Sequence, residues 1–238
     1  GKCLGTHISK EVVSKLQSFS KNRGGSLFMG LLTTAKILLS NYSGEKDIVV
    51  GNPIAGREHG DLENQIGVYI NSLALRNQID QNKNFIQLYD QIRTNTLKAL
   101  EHQMYPFDKL LEDLNFRREA NRNPVFDILI NYLGTSEKSK DGIIGDEIQV
   151  LGKKMLLFDV EIDFTEVAGG VDFLIRYNND VYEYEMIKSF MLHYKRLLYN
   201  LLNDSDKSIG SVDYLFDAEK DVLINRFNDT RVNYNLDS

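Results

Sequence analysis

A single cysteine, Cys3, lies near the N-terminus of the 238-residue chain. It cannot close an internal disulfide and nothing else points to an oxidising compartment, so a cytoplasmic location is expected. No apolar run approaches the ~20 residues that a membrane-spanning helix needs. The longest, Leu27 to Leu39, is interrupted by Thr33, Thr34 and Lys36, and the opening residues do not read as a signal peptide. A soluble chain without a membrane partner is the expectation. Excess positive charge is missing too: the net charge is −6, with the signs interspersed, and no basic stripe carries interleaved aromatics, which argues against nucleic acid as a partner. The four histidines, His7, His59, His102 and His193, fall at no metal-ligand spacing. There is no Gly-rich phosphate loop and no serine in a nucleophile-elbow pattern. No metal and no self-contained active site are expected.

What is present is ordinary globular composition, 42% hydrophobic and 26% charged, enough for a sizeable core in one large domain or two small ones. Ser9 to Asn22 reads as an amphipathic helix with Val12, Leu16 and Phe19 inward, stopped by Gly24-Gly25. Ser26 caps a second helix, apolar around most of its circumference. Asp47 to Gly51 suits a buried strand ended by Asn52-Pro53. Asn84 caps a helix that turns Phe85, Leu88, Ile92, Leu97 and Leu100 inward and Gln87, Arg93 and Lys98 to water, and the chain turns a corner at Tyr105-Pro106, where proline opens a short helix. Val125 to Leu133 reads as a strand, and Gly134 to Asp146 as a polar loop or arm that needs a partner to order it. Phe158 to Phe164 and Val171 to Tyr177 alternate as a hairpin whose acidic face is solvated rather than metal-binding. A helix from Glu183 to Asn203 closes the body, giving residues 1–203 as one unit and 204–238 as a terminal segment that begins a linker.

The chain is organised around Gln65 to Arg76, where a Gly-punctuated loop enters a strand expected to be buried from Val68 to Leu75. Asn71 and Ser72 place two hydrogen-bonding side chains in its middle, where an unpartnered polar group is costly. Three segments then fall in order: IGVYINSLALR (66–76), HQMYPFD (102–108) and RREANRNPVFD (117–127). They closely resemble three successive signature motifs of the condensation domains of nonribosomal peptide synthetases. Residues 27–57 are similar to the helix, strand and loop that precede them in the same family.

The resemblance implies an α/β fold, a chloramphenicol acetyltransferase-like lobe with a mixed central sheet flanked by helices. In the family, two such lobes form a cleft that admits phosphopantetheine arms of carrier proteins, and the catalytic histidine belongs to an HHxxxDG motif on the first lobe. This chain has no adjacent histidines, so the resemblance is to the C-terminal lobe, with no catalytic residue of its own and no cofactor bound directly. It implies Asn71, Ser72, Arg76 and Arg57 as substrate-cleft residues. Gly67, His102, Tyr105, Pro106, Phe107, Arg122, Asn123 and Pro124 are implied as supports of the cleft wall. The purely structural readings stand beside these: Arg76 paired with a carboxylate, Pro106 opening a helix. Implied partners are the N-terminal lobe, donor and acceptor peptidyl carrier proteins, and an adjacent adenylation domain. Asn131-Tyr132-Leu133-Gly134 resembles a motif of the related epimerization domains, which keeps half of such a domain as an alternative, and a non-catalytic docking or scaffold lobe is another.

Overall fold

The computed structural model describes residues 1–56, 60–62, 65–115, 123–134, 148–153 and 156–229. The strands are β1 (Lys2–Ser9), β2 (Asp47–Ile54), β3 (Asn71–Gln78), β4 (Ile128–Leu133), β5 (Gln149–Lys153), β6 (Val160–Val167) and β7 (Gly170–Tyr177). The helices are α1 (Lys10–Asn22), α2 (Leu27–Ser43), α3 (Phe85–Glu101), α4 (Phe107–Asp113), α5 (Tyr184–Asn203) and α6 (Asp217–Asp221). One seven-stranded sheet runs in the order β3-β2-β4-β6-β7-β1-β5. It is mixed, because β4 runs parallel to both β2 and β6 while the other pairs are antiparallel.

Helix α2 lies at the centre of the helical layer, packed against α1, α3, α5 and β2, which is why it can be apolar nearly all round. The Ser26 hydroxyl accepts from the Met29 amide, as the sequence predicts, and Gly44, at φ +73°, ends the helix. Thr33 and Thr34 do not expose their hydroxyls. They donate to the carbonyls of Met29 and Gly30 at 2.7 and 3.2 Å. Side chains of β1, β2, β3, β4, β6 and β7 join those of α1, α2, α3 and α5 in one buried cluster, so burial of one sheet face drives the fold.

Several expectations shift. Helix α1 buries Val13, Leu16 and Ser20, with Val12 and Phe19 only half covered, and Ser9 makes no side-chain cap bond. Helix α3 has its capping box at Asn84 and Gln87 but turns Leu97 outward and Arg93 partly inward. Strand β2 passes through Asn52-Pro53 instead of stopping there: the Asn52 amide donates to the Ile130 carbonyl at 2.9 Å, and β4 registers with β2 at Gly51, so a missing N–H at Pro53 is tolerated. Strand β4 begins at Ile128, three residues later than predicted.

The β6–β7 hairpin forms in the expected register, yet its acidic face is not solvated. Arg176 stands across from Glu161 and ion-pairs with it at 3.0 Å and with Asp163 as well, and Asp163 is buried. The sequence period put the carboxylates on one face, and the cross-strand arginine on that same face neutralises them. From Asn203 to Val212 the chain stays packed. The Ile209 and Gly210 amides donate to the Lys83 and Gln81 carbonyls at 2.8 and 3.0 Å, and Ile209 and Val212 are buried. The arm expected at residues 134–146 falls outside the described residues except for Gly134.

Candidate cleft wall

Strand β3 starts at Asn71, opposite Ile54, the last residue of β2. Among the described residues, no strand therefore neighbours residues 68–70, and the burial expected for Val68 onward is not found. Ile66, Val68 and Ile70 are 104, 93 and 71% exposed. Alternating apolar residues ahead of the strand carry the periodicity of a buried segment, but the partner strand ends before reaching them.

Asn71 is the point at which this exposed strip is fixed. Its amide nitrogen donates to the Gln103 and Tyr105 carbonyls, both at 2.8 Å, and its amide oxygen accepts from the Phe107 N–H at 3.1 Å. Phe107 is the first residue of α4, and Pro106, at the cap position with φ −63° and ψ 136°, has no side chain with which to cap it. Asn71 thus satisfies, from another element, one of the donors a helix leaves unpaired at its start. The Phe107 ring then meets Phe126 at 5.4 Å between centroids, and Phe126 stacks on Phe158 at 5.4 Å. Phe126 has room because Gly51 lies beneath it: a Cβ there would come 2.1 Å from the ring. The three sequence motifs, successive but not adjacent in the chain, meet at Asn71, Phe107 and Phe126.

Beside this junction is an open basin of about 440 Å³ whose lining includes Val68, Ile70, Ser72, Met104 and Pro106. Gly56 closes one side at φ +62°, so near the Tyr69 carbonyl that a Cβ would approach it to 2.0 Å. The Gly67 backbone faces the Tyr69 ring, 2.9 Å from where its Cβ would be. Tyr105, 44% exposed, donates its hydroxyl to Asp113. That bond raises the Tyr105 pKa and, with Lys109, holds the Asp113 carboxyl below its ordinary range. His102 ends α3, its amide bonded to the Ala99 carbonyl at 3.1 Å, and its side chain is exposed. The basin presents an apolar wall interrupted by amide and hydroxyl groups and by the Asp108 carboxyl.

Not all expected cleft residues gather here. Arg76 lies at the far end of β3, about 17 Å along the strand from Asn71. Its Nε donates to both Asp47 oxygens at 3.0 Å and its Nη2 to one of them at 2.5 Å, holding the Asp47 carboxyl below its ordinary range. This is the carboxylate pairing that its sequence context left open. Arg57 and Arg122 fall outside the described residues. Asn123 reaches the Leu157 carbonyl at 3.5 Å, and Pro124 is half-buried. The sequence reading missed His193, which is buried in α5 between the Tyr42 hydroxyl (2.7 Å) and the Glu219 carboxylate (2.8 Å). Its spacing with Phe190, Tyr194 and Leu197 was the available signal, and its partners mark it as a clasp for the α6 segment. Among the described residues, no group of three or more His, Cys, Asp and Glu could hold a metal ion, and no helix is long and apolar enough to cross a membrane.

The mixed sheet with its layer of helices is a chloramphenicol acetyltransferase-like fold. The condensation domain model matches residues 3–224, and the chain belongs to the condensation domain family. It is 34% identical over 224 residues to tyrocidine synthase 3 of Brevibacillus parabrevis, covering 94% of this chain and 4% of that protein. It is also 34% identical over 231 residues to surfactin synthase subunit 1 of Bacillus subtilis (strain 168), covering 95% of this chain and 6% of that protein. Among solved structures, a four-domain nonribosomal peptide synthetase bound to AMP and glycine superposes with a TM-score of 0.80 at 20% identity, over 92% of this chain and 18% of that one. The condensation domain from the monacolin K polyketide synthase gives 0.74 at 18% identity, over 88% of this chain and 49% of that one. The chain thus spans a small fraction of the synthetases it matches and about half of that single domain.

Proposed function

We propose that the chain is the C-terminal lobe of a condensation domain that forms peptide bonds between aminoacyl or peptidyl thioesters borne on carrier proteins, in the cytoplasm. The observation that carries this reading is the junction of the three motifs at Asn71, Phe107 and Phe126, beside an apolar strip left open to solvent. Exposed apolar strips of this kind mark surfaces that a partner covers, here the N-terminal lobe and the pantetheine arms. The group is the carriers' own, and this lobe binds no cofactor directly. The Val68, Ile70 and Met104 wall suits the aliphatic part of such an arm, and the basin's amide and hydroxyl groups suit its amides. The lobe's contribution is alignment: holding acceptor amine and donor thioester in line replaces a bimolecular encounter, and a misplacement of about 1 Å costs on the order of 100-fold in rate. Proton handling belongs to the HHxxxDG lobe, and an adenylation domain is a further partner.

Reconstitution tests this. The chain is mixed with donor- and acceptor-loaded carrier proteins, with and without a separately made first lobe, and dipeptide is followed by mass spectrometry. Product is expected only with both lobes, and Asn71→Ala, which frees the 102–107 corner, lowers the rate about 10- to 100-fold. Dipeptide formed by this chain alone, and lost on His102→Ala, overturns the proposal.

A further inference from the structure

Away from that junction, α1 and α3 come together at the Gly24-Gly25 turn, and a basin of about 650 Å³ opens between them, lined by Phe19, Asn22, Arg23, Asp90 and Arg93. Arg23 is held in place twice: its guanidinium lies 5.2 Å from the centroid of the Phe19 ring, and Nη1 donates to Asp90 at 3.1 Å. Arg93 is placed differently. Its aliphatic stem is pinned under the turn, since a Cβ at Gly25 would lie 3.1 Å from Arg93 Cδ, and Gly24, at φ +66°, leaves Nη1 only 3.8 Å from where its Cβ would be. The Arg93 Nε is buried and has no hydrogen-bond partner, and among the described residues the side chain has no ion-pair partner either.

Two guanidiniums against one carboxylate leave a local cationic excess on a chain whose net charge is −6. A buried charged donor without a partner costs free energy that an acceptor placed there recovers, and the planar guanidinium fork matches the oxygens of a phosphate two at a time. We propose that this basin binds a phosphate group, with Arg93 as its anchor and Arg23 as a second donor whose reach Asp90 restrains. The glycine turn borders the site: Gly24 has a left-handed φ of +66°, and a Cβ at Gly25 would meet the Tyr89 hydroxyl at 2.1 Å as well as the Arg93 stem.

The test is an NMR titration of the whole chain with inorganic phosphate at constant ionic strength, so that general screening is held fixed. The Gly24 and Gly25 amide signals and the Arg93 Nε–H signal shift saturably. Arg93→Gln weakens binding at least about tenfold, and Arg93→Lys, which keeps the charge but loses the fork, weakens it too. Asp90→Asn, which releases Arg23, tightens it. A parallel titration with glycerol phosphate distinguishes the sources of the group: tighter binding of the ester points to a phosphate carried on a larger molecule, equal binding to the free anion, and both support the site. Phosphate that leaves these three signals unmoved, affinity unchanged in Arg93→Gln, or weaker binding in Asp90→Asn overturns it.

Discussion

Lys36 sits in the apolar α2 helix, fully buried, with its amine donating to the Leu75 carbonyl at 2.7 Å and to Asn77 Oδ1 at 2.5 Å. Burial pushes its pKa from 10.5 down to about 7, and the nearby Asp47 carboxylate only partly offsets this. The folded pKa lies below the unfolded one, so between these two values the unfolded chain binds the extra proton and stability rises with pH. The penalty is about 4 kcal/mol at pH 7 and about 2 kcal/mol at pH 9, so this one group adds about 2 kcal/mol over that interval. Replacement by Met removes the titration while leaving the Leu75 carbonyl and Asn77 without their donor, at a cost of about 1–3 kcal/mol. The variant is therefore about 1–3 kcal/mol more stable than wild type at pH 7, and its pH dependence is the sharper readout. Urea unfolding at several pH values in this range measures both proteins, and subtraction cancels every group they share. A wild-type slope steeper by about 1 kcal/mol per pH unit between pH 7 and pH 9, rising toward the limit set by a single extra proton, is expected. Equal slopes for Lys36→Met and wild type would refute the reasoning.

Other outcomes follow from the same structure. Asn71→Ala removes three hydrogen bonds and lowers stability by about 1.5–4 kcal/mol, with faster amide exchange at Phe107 as the local mark; Asn71→Asp is worse, because a carboxylate repels the Gln103 and Tyr105 carbonyls. Arg176→Met removes the cation that pairs with Glu161 and the buried Asp163 and costs about 3–5 kcal/mol, measured by thermal unfolding. Gly170→Ala forces a side chain into a backbone at φ +143° where a Cβ would lie 2.1 Å from the Ile8 carbonyl, so this variant melts well below wild type. Glu219→Gln loosens the clasp on His193 and exposes the segment after Asn203 to limited proteolysis while leaving the sheet's far-ultraviolet circular dichroism unchanged.

Sequence alone determined the elements whose signals are local. The Ser26 and Asn84 caps, the 3.6-residue periods of α2 and α5 and the two-residue period of β6 and β7 each depend on neighbours a few positions away. The family was legible for a related reason, since three motifs in order over a short span are specific even without a known shape. What the tertiary structure decided are the pairings between distant residues. Nothing local says that β2 ends at Ile54 and so leaves Val68 and Ile70 uncovered, or that Arg176 stands opposite Glu161 and neutralises a face that alternation alone would give to water. Arg93 fell on the polar side of its helix by spacing, yet the Gly24-Gly25 turn closes over its stem. Asn71 was conspicuous as a polar residue in an apolar strand, but only the fold brings the start of α4 to it, because the donor it satisfies belongs to a helix more than thirty residues away.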